Sequence, residues 1–239
     1  MANILILADS GSGKTTSLCS IPEHNIKGLD PKDTYIISAT AKPLPFKGSK
    51  SVYPEVTSLS DLPKGKRFIT NNGKDVAKAI VAVSDPKSPY KNIVIDDSNY
   101  LMQDYYMANA LKGGWDVPKA IGSMMSEFFN ALEIAAKNGK HVIVLAHMES
   151  FQSDSVGSIS YRMKVTGKMV TEYVTPEGKF DVVLFVKVDY DEKAKKANYH
   201  FVTNRDDKYP AKSPVGMFND IYIPNDMGYV IEKVNEYYG

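Results

Sequence analysis

Ile4 to Ala8, an unbroken apolar stretch, runs directly into a turn containing Gly11 and Gly13 and then into Lys14, Thr15 and Thr16. A strand, a tight loop and a helix are expected in that order. Ala8, four further residues and then Gly13, Lys14 and Thr15 fit the phosphate-loop signature, with Ala in place of its first Gly. Gly11 and Gly13 permit backbone angles and a close approach that a Cβ would forbid, so successive N–H groups can turn inward onto phosphate oxygens. A helix starting near Lys14 would aim its positive end at the same anion. Ser10, Gly11, Ser12, Gly13, Lys14, Thr15 and Thr16 form the candidate nucleotide-binding set. Within it, Lys14 is expected to reach the β- and γ-phosphates and the Thr15 hydroxyl to hold Mg²⁺. The bland alternative is a glycine turn that only joins a buried strand to a helix.

With 239 residues the chain can fold as one α/β unit, and a single domain over 1–239 is expected. The formal net charge of +1 carries no overall basic excess of the kind that advertises nucleic acid, although a local basic strip is compatible with it. Only Arg67, Arg162 and Arg205 represent arginine. No stretch approaches eighteen uninterrupted apolar residues and the start lacks a signal-peptide pattern, so a soluble, intracellular protein without membrane contact is expected. The single cysteine, Cys19, reads as a packed core thiol.

Further along, residues 34–38 read as a short buried strand and residues 66–70 as another. Val76, Ala79, Ile80 and Val83 share one face of a helix over 75–83. The run Ile93-Val94-Ile95 reads as a strand buried on both faces of a parallel sheet, and it ends in Asp96 and Asp97. Beside a phosphate loop, Asp96 is the candidate Mg²⁺ ligand and Asp97 the candidate for polarising an attacking water, the two pointing opposite ways on the strand. A helix N-cap at Asp97 or Ser98 is the alternative.

Two helices are expected over 98–111 and 117–137, the second stopped by Asn138 and Gly139. A third buried strand, 141–146, leads to His147, either a sensor of the terminal phosphate or an ordinary strand-end histidine; Glu149 is a weaker candidate there. The Ser/Gly-rich stretch 150–166 carries Phe151, Tyr161, Arg162 and Lys164, and reads equally as a loop that stacks on bases or as a long hairpin. A short helix is expected at 169–174, and an antiparallel hairpin with a charged tip over 180–203. Arg205, Lys208 and Lys212 follow, able to reach a neighbouring subunit's nucleotide or to face water.

The order of these landmarks, together with the stretches at 42–46, 167–169, 177–184 and 211–218, resembles a bacteriophage-encoded family of P-loop ATPases with a RecA-like core, some of whose members are single-strand annealing recombinases. The resemblance implies a mainly parallel central sheet flanked by helices with a C-terminal antiparallel hairpin extension. It also implies ATP and Mg²⁺ as cofactors, single-stranded DNA as a partner, homo-oligomers, and a location in the host cytoplasm. By the same likeness Gly13, Lys14 and Thr15 go to phosphate and metal, Asp96 to metal and His147 to the sensor position. RecA-type ATPases place a catalytic glutamate at a strand end between the two motifs. Here no Glu occupies such a position, and Asp97 is the substitute; Lys14, Asp97 and His147 make up the candidate catalytic set.

Three functions follow from this reading. The first is an ATP-hydrolysing protein acting on single-stranded DNA in recombination or annealing. The second is a nucleotide switch that acts by docking protein during replication. The third is a small-molecule kinase, disfavoured because only Arg162 and Arg205 lie downstream of Asp96 to clamp phosphates.

Overall fold

Alternation along the first strand, β1 (Asn3–Ala8), sets the layering of the molecule. Ile4, Ile6 and Ala8 enter one apolar cluster, while Leu5 and Leu7 enter another on the opposite face of the sheet. The computed structural model describes residues 1–152, 159–167, 170 and 174–239. Among them the other strands are β2 (Thr34–Ser38), β3 (Glu55–Val56), β4 (Arg67–Ile69), β5 (Asn92–Asp96), β6 (His141–Gln152), β7 (Ile159–Met163), β8 (Val182–Asp191), β9 (Lys196–Val202) and β10 (Tyr222–Pro224).

The sheet runs β10-β9-β8-β1-β6-β5-β2-β4-β3, with β7 hydrogen-bonded to β6 off that path. Every pairing from β8 through β1, β6, β5, β2 and β4 to β3 is parallel. The pairs β6–β7, β8–β9 and β9–β10 are antiparallel. This is the α/β architecture expected from the sequence, a mainly parallel sheet with an antiparallel C-terminal extension. Because β6 lies between β1 and β5, the carboxyl ends of three adjacent strands deliver Ala8, His147 and Asp96 to one edge, Ala8 standing in register with His147. Open parallel sheets bind ligands at that edge.

Helices α1 (Ser49–Val52), α2 (Gly73–Val83), α3 (Asn99–Ala108) and α4 (Asp116–Lys137) lie between the strands in sequence. Val76 and Ile80 of α2 and Ile121, Phe128 and Leu132 of α4 cover the face that holds Leu5 and Leu7. A C-terminal helix, Met227–Tyr238, covers the other face with Met227, Val230 and Val234, beside Leu18 and Cys19. Full burial of an aliphatic side chain of this size contributes about 1.5–3 kcal/mol, so these two layers hold the sheet in place. Among the described residues no helix is long and apolar enough to cross a membrane.

One expectation fails. The helix expected from Lys14 onward is a single 3₁₀ turn, Thr16–Leu18, after which Cys19 is extended at φ −93°, ψ 141°. Pro22 restricts the residue before it to the extended region, and Ile21 pairs back onto Ile26, which ends the turn. The turn that follows the phosphate loop therefore brings no helix dipole of consequence to it. The short helix expected at 169–174 lies largely outside the described residues, as does 153–158 of the Ser/Gly-rich stretch. The rest of that stretch is a hairpin, since β6 runs on past Ala146 to Gln152 and β7 returns along it. Strand β10 and the C-terminal helix were not expected from the sequence.

Candidate functional site

The loop that follows β1 takes positive φ at Gly11 (76°) and Gly13 (88°), angles that a side chain resists. Ser12 Oγ donates to the Asp9 carbonyl at 2.5 Å and closes the turn. Lys14 is 6 % exposed and folds over the loop, its Nζ donating to the carbonyls of Ala8 at 3.0 Å and Asp9 at 2.8 Å. Burial lowers the Lys14 pKa, opposed in turn by the charges of Asp97, Asp96 and Asp9.

Thr15 Oγ1 donates to Asp96 Oδ1 at 3.2 Å, linking the loop to the end of β5, two strands away. Asp96 is almost fully buried, and burial first and Asp97 second push its carboxyl up to about 6. Two hard oxygen ligands thus meet at a carboxylate short of positive charge, a donor set that fits Mg²⁺ completing its shell with phosphate oxygens and water.

Asp97 lies one residue past the end of β5, with a left-handed φ of 60°, and lines the same cleft as Asp96. Its Oδ2 accepts from Thr40 Oγ1 at 3.0 Å and lies 3.6 Å from Lys42 Nζ, and its Oδ1 lies 3.8 Å from His147 Nε2. Burial, followed by the Lys14 charge, lowers the His147 pKa, so the ring is neutral at pH 7. His147 Nε2 is buried without a hydrogen-bond partner. Asn99 holds the strand end here, its Oδ1 accepting from the His147 amide and its Nδ2 donating to the Lys164 carbonyl.

The whole phosphate-loop set, Ser10 to Thr16, lines one cleft of about 1260 Å³ together with Lys42, Asp96, Asp97 and His147. Glu149 does not join them; it pairs with Arg162 at 2.9 Å. Glu55 is likewise engaged elsewhere, as the partner of the buried Arg67 at 2.9 Å. Arg67 also donates to Ser38 Oγ and to the carbonyls of Thr40 and Lys42, so it pins the segment that faces Asp97. Arg205, Lys208 and Lys212 are exposed and line no part of the cleft. Cys19 is a core thiol as expected, pushed up to about 12 by burial.

Sequence reasoning missed Thr40, Lys42, Tyr199, Asn225 and Asp226, all of which border Asp97 or the cleft. Thr40 lies just past the carboxyl end of β2, where the ligand-edge rule applies. Asp226 sits at a helix N-cap, accepting from the Gly228 amide at 2.8 Å, a signal readable in the sequence.

A family model described as an AAA domain matches residues 1–215. No curated protein matches the chain. Among solved structures, a KaiC-like protein of the hyperthermophilic archaeon Pyrococcus horikoshii is similar at a TM-score of 0.46 and 10% identity, over 85% of this chain and 79% of that one.

Proposed function

We propose, from the premise that the chain belongs to the AAA domain family, that it binds ATP in the cleft at the carboxyl ends of β1, β5 and β6 and hydrolyses it. The observation that carries the reading is the 3.2 Å contact between Thr15 and Asp96, beside Lys14 in the same cleft. Thr15 and Asp96 would hold Mg²⁺, which when bound supplies positive charge to the phosphates. Lys14 exchanges its carbonyl partners for phosphate oxygens and neutralises their charge. Asp97, oriented by Thr40 and Lys42, accepts a hydrogen bond from the attacking water, and neutral His147 orients that water or the terminal phosphate.

The finer reading is action on single-stranded DNA. It is supported by the hairpin that begins at the site itself: the Lys164 amide donates to the His147 carbonyl at 2.8 Å, and Asn99 bridges the same two residues. That hairpin presents Phe151 under Arg162 at 4.9 Å, and Tyr161 stacked on Tyr209 at 5.0 Å. Aromatic faces beside cations suit bases and phosphates of a single strand. Homo-oligomers in which Arg205, Lys208 or Lys212 reaches a neighbouring copy's nucleotide extend this reading, because those cations are exposed and absent from their own cleft.

ATP turnover of wild type and Lys14→Ala, with and without single-stranded DNA at low salt, tests both levels. Turnover stimulated by DNA and abolished by the substitution is expected. Turnover indifferent to DNA overturns the finer reading in favour of a nucleotide switch that docks protein, and absence of turnover overturns hydrolysis.

A further inference from the structure

The phosphate loop fills only one end of the cleft, and the rest is walled by residues with no role in phosphate or metal binding. The acids set a polarity. Thr15, Asp96 and His147 gather at the strand ends, so the terminal phosphate belongs there, and the remainder of a nucleotide must lead away past Thr16. On that side stand the turn His24–Ile26 and the strands β9 and β10.

Tyr199 leans directly on the loop, since a Cβ at Gly13 would lie 3.3 Å from its Cδ1. Phe201, two residues on and on the same strand face, is fully buried in the core, whereas Tyr199 is 41% exposed beside the cleft. Asn225 stands next to it, one amide hydrogen committed to the Gly13 carbonyl and its Oδ1 buried with no partner. An open aromatic face beside the loop, with a spare acceptor behind it, matches a purine or pyrimidine ring bearing an exocyclic amine.

We infer that Tyr199, with Pro224, Asn225 and the turn at His24–Ile26, forms the nucleoside end of the site, Tyr199 stacking on the base. The inference rests on the ATP reading above and adds where the non-phosphate half of the ligand lies.

Calorimetric titration with ATP and, separately, with inorganic tripolyphosphate tests it in wild type, Tyr199→Ala, Tyr199→Leu and Tyr199→Phe. Loss of one stacked base weakens binding by about tenfold or more. Tyr199→Ala and Tyr199→Leu should therefore lose that much ATP affinity with tripolyphosphate unchanged, and Tyr199→Phe should stay near wild type. Leu keeps the apolar bulk, so it separates stacking from a packing defect. Unchanged ATP affinity in both the Ala and Leu variants, or equal losses for both ligands, overturns the subsite while leaving ATP binding intact. Failure of wild type to bind either ligand overturns the nucleotide reading itself and the subsite with it.

Discussion

The side-chain amide of Asn225 donates to the carbonyl of Gly13 at 3.1 Å, joining the start of the C-terminal helix to a loop 212 residues earlier. Next to it, the Asp226 carboxylate accepts from the amides of Lys27 at 2.8 Å and Gly28 at 2.9 Å. The first contact braces a phosphate loop that is followed by only one 3₁₀ turn, and the other two hold the segment beyond that turn.

Asn225→Ala should weaken ATP binding by about fivefold, the worth of one hydrogen bond of about 1 kcal/mol. Gly13→Ala should abolish it, because the new Cβ meets Asn225 Nδ2 at 2.7 Å and the backbone there holds φ at 88°. Removing the clash with the Gly13→Ala/Asn225→Ala double variant should not restore binding, since the angle remains forbidding. Fluorescent-nucleotide titration reads all three.

Asp96→Asn should stabilise the protein without nucleotide while destroying Mg²⁺-dependent stabilisation by ATP. The folded-state pKa of about 6 lies above the ordinary 3.8, so the folded chain holds the proton more tightly and stability falls as pH rises between those values. A gain of about 3 kcal/mol is expected at pH 7, falling to about half of that by pH 5. Thermal melts at the two pH values, with and without Mg-ATP, check it.

Thr40→Ala should lower kcat by about tenfold with KM for ATP little changed, because it frees Asp97 to rotate without touching the loop. Thr40→Ser, which keeps the hydroxyl donor, should recover most of the rate. Asp97→Asn should cost more than either, and steady-state kinetics on the three variants gives the order.

Arg67→Ala should destabilise the fold by about 3 kcal/mol, since a nearly inaccessible guanidinium leaves Glu55, Ser38 and two carbonyls unpaired together. Arg67→Lys should not rescue, because an ammonium lacks the planar fork that reaches all four. Urea unfolding gives the comparison.

His141 is buried on β6 with Nε2 3.0 Å from Asn235 Oδ1, and burial lowers its pKa from 6.5. The unfolded chain therefore binds the proton more readily, and this part of the stability is complete above pH 6.5 and lost as pH falls below it. His141→Asn should flatten the acid limb of the Tm–pH curve, leaving the contribution of His147, which shifts in the same direction.

Local sequence carried the elements that depend on short spacing. The run Ile93 to Ile95 is a strand because three β-formers in succession bury both faces, and Val76 to Val83 is a helix because its apolar residues recur on one side. The same periodicity fails after Lys14, where Thr15, Thr16 and Ser17 resemble the start of a helix until Pro22 and the Ile21–Ile26 pairing cut it short. The C-terminal helix follows the same periodicity, with Met227, Val230 and Val234 burying one side.

By itself, the amino-acid order determined a glycine loop able to hold phosphate and a buried strand ending in two acids, because both are written in residues that are neighbours along the chain. Only the tertiary structure decided that β6 separates the strands bearing them, that Thr15 meets Asp96, that Thr40 and Lys42 rather than a glutamate attend Asp97, and that Asn225 grips Gly13. Those contacts join residues tens to hundreds of positions apart. They arise from strand order and burial of the whole sheet, which no local spacing encodes.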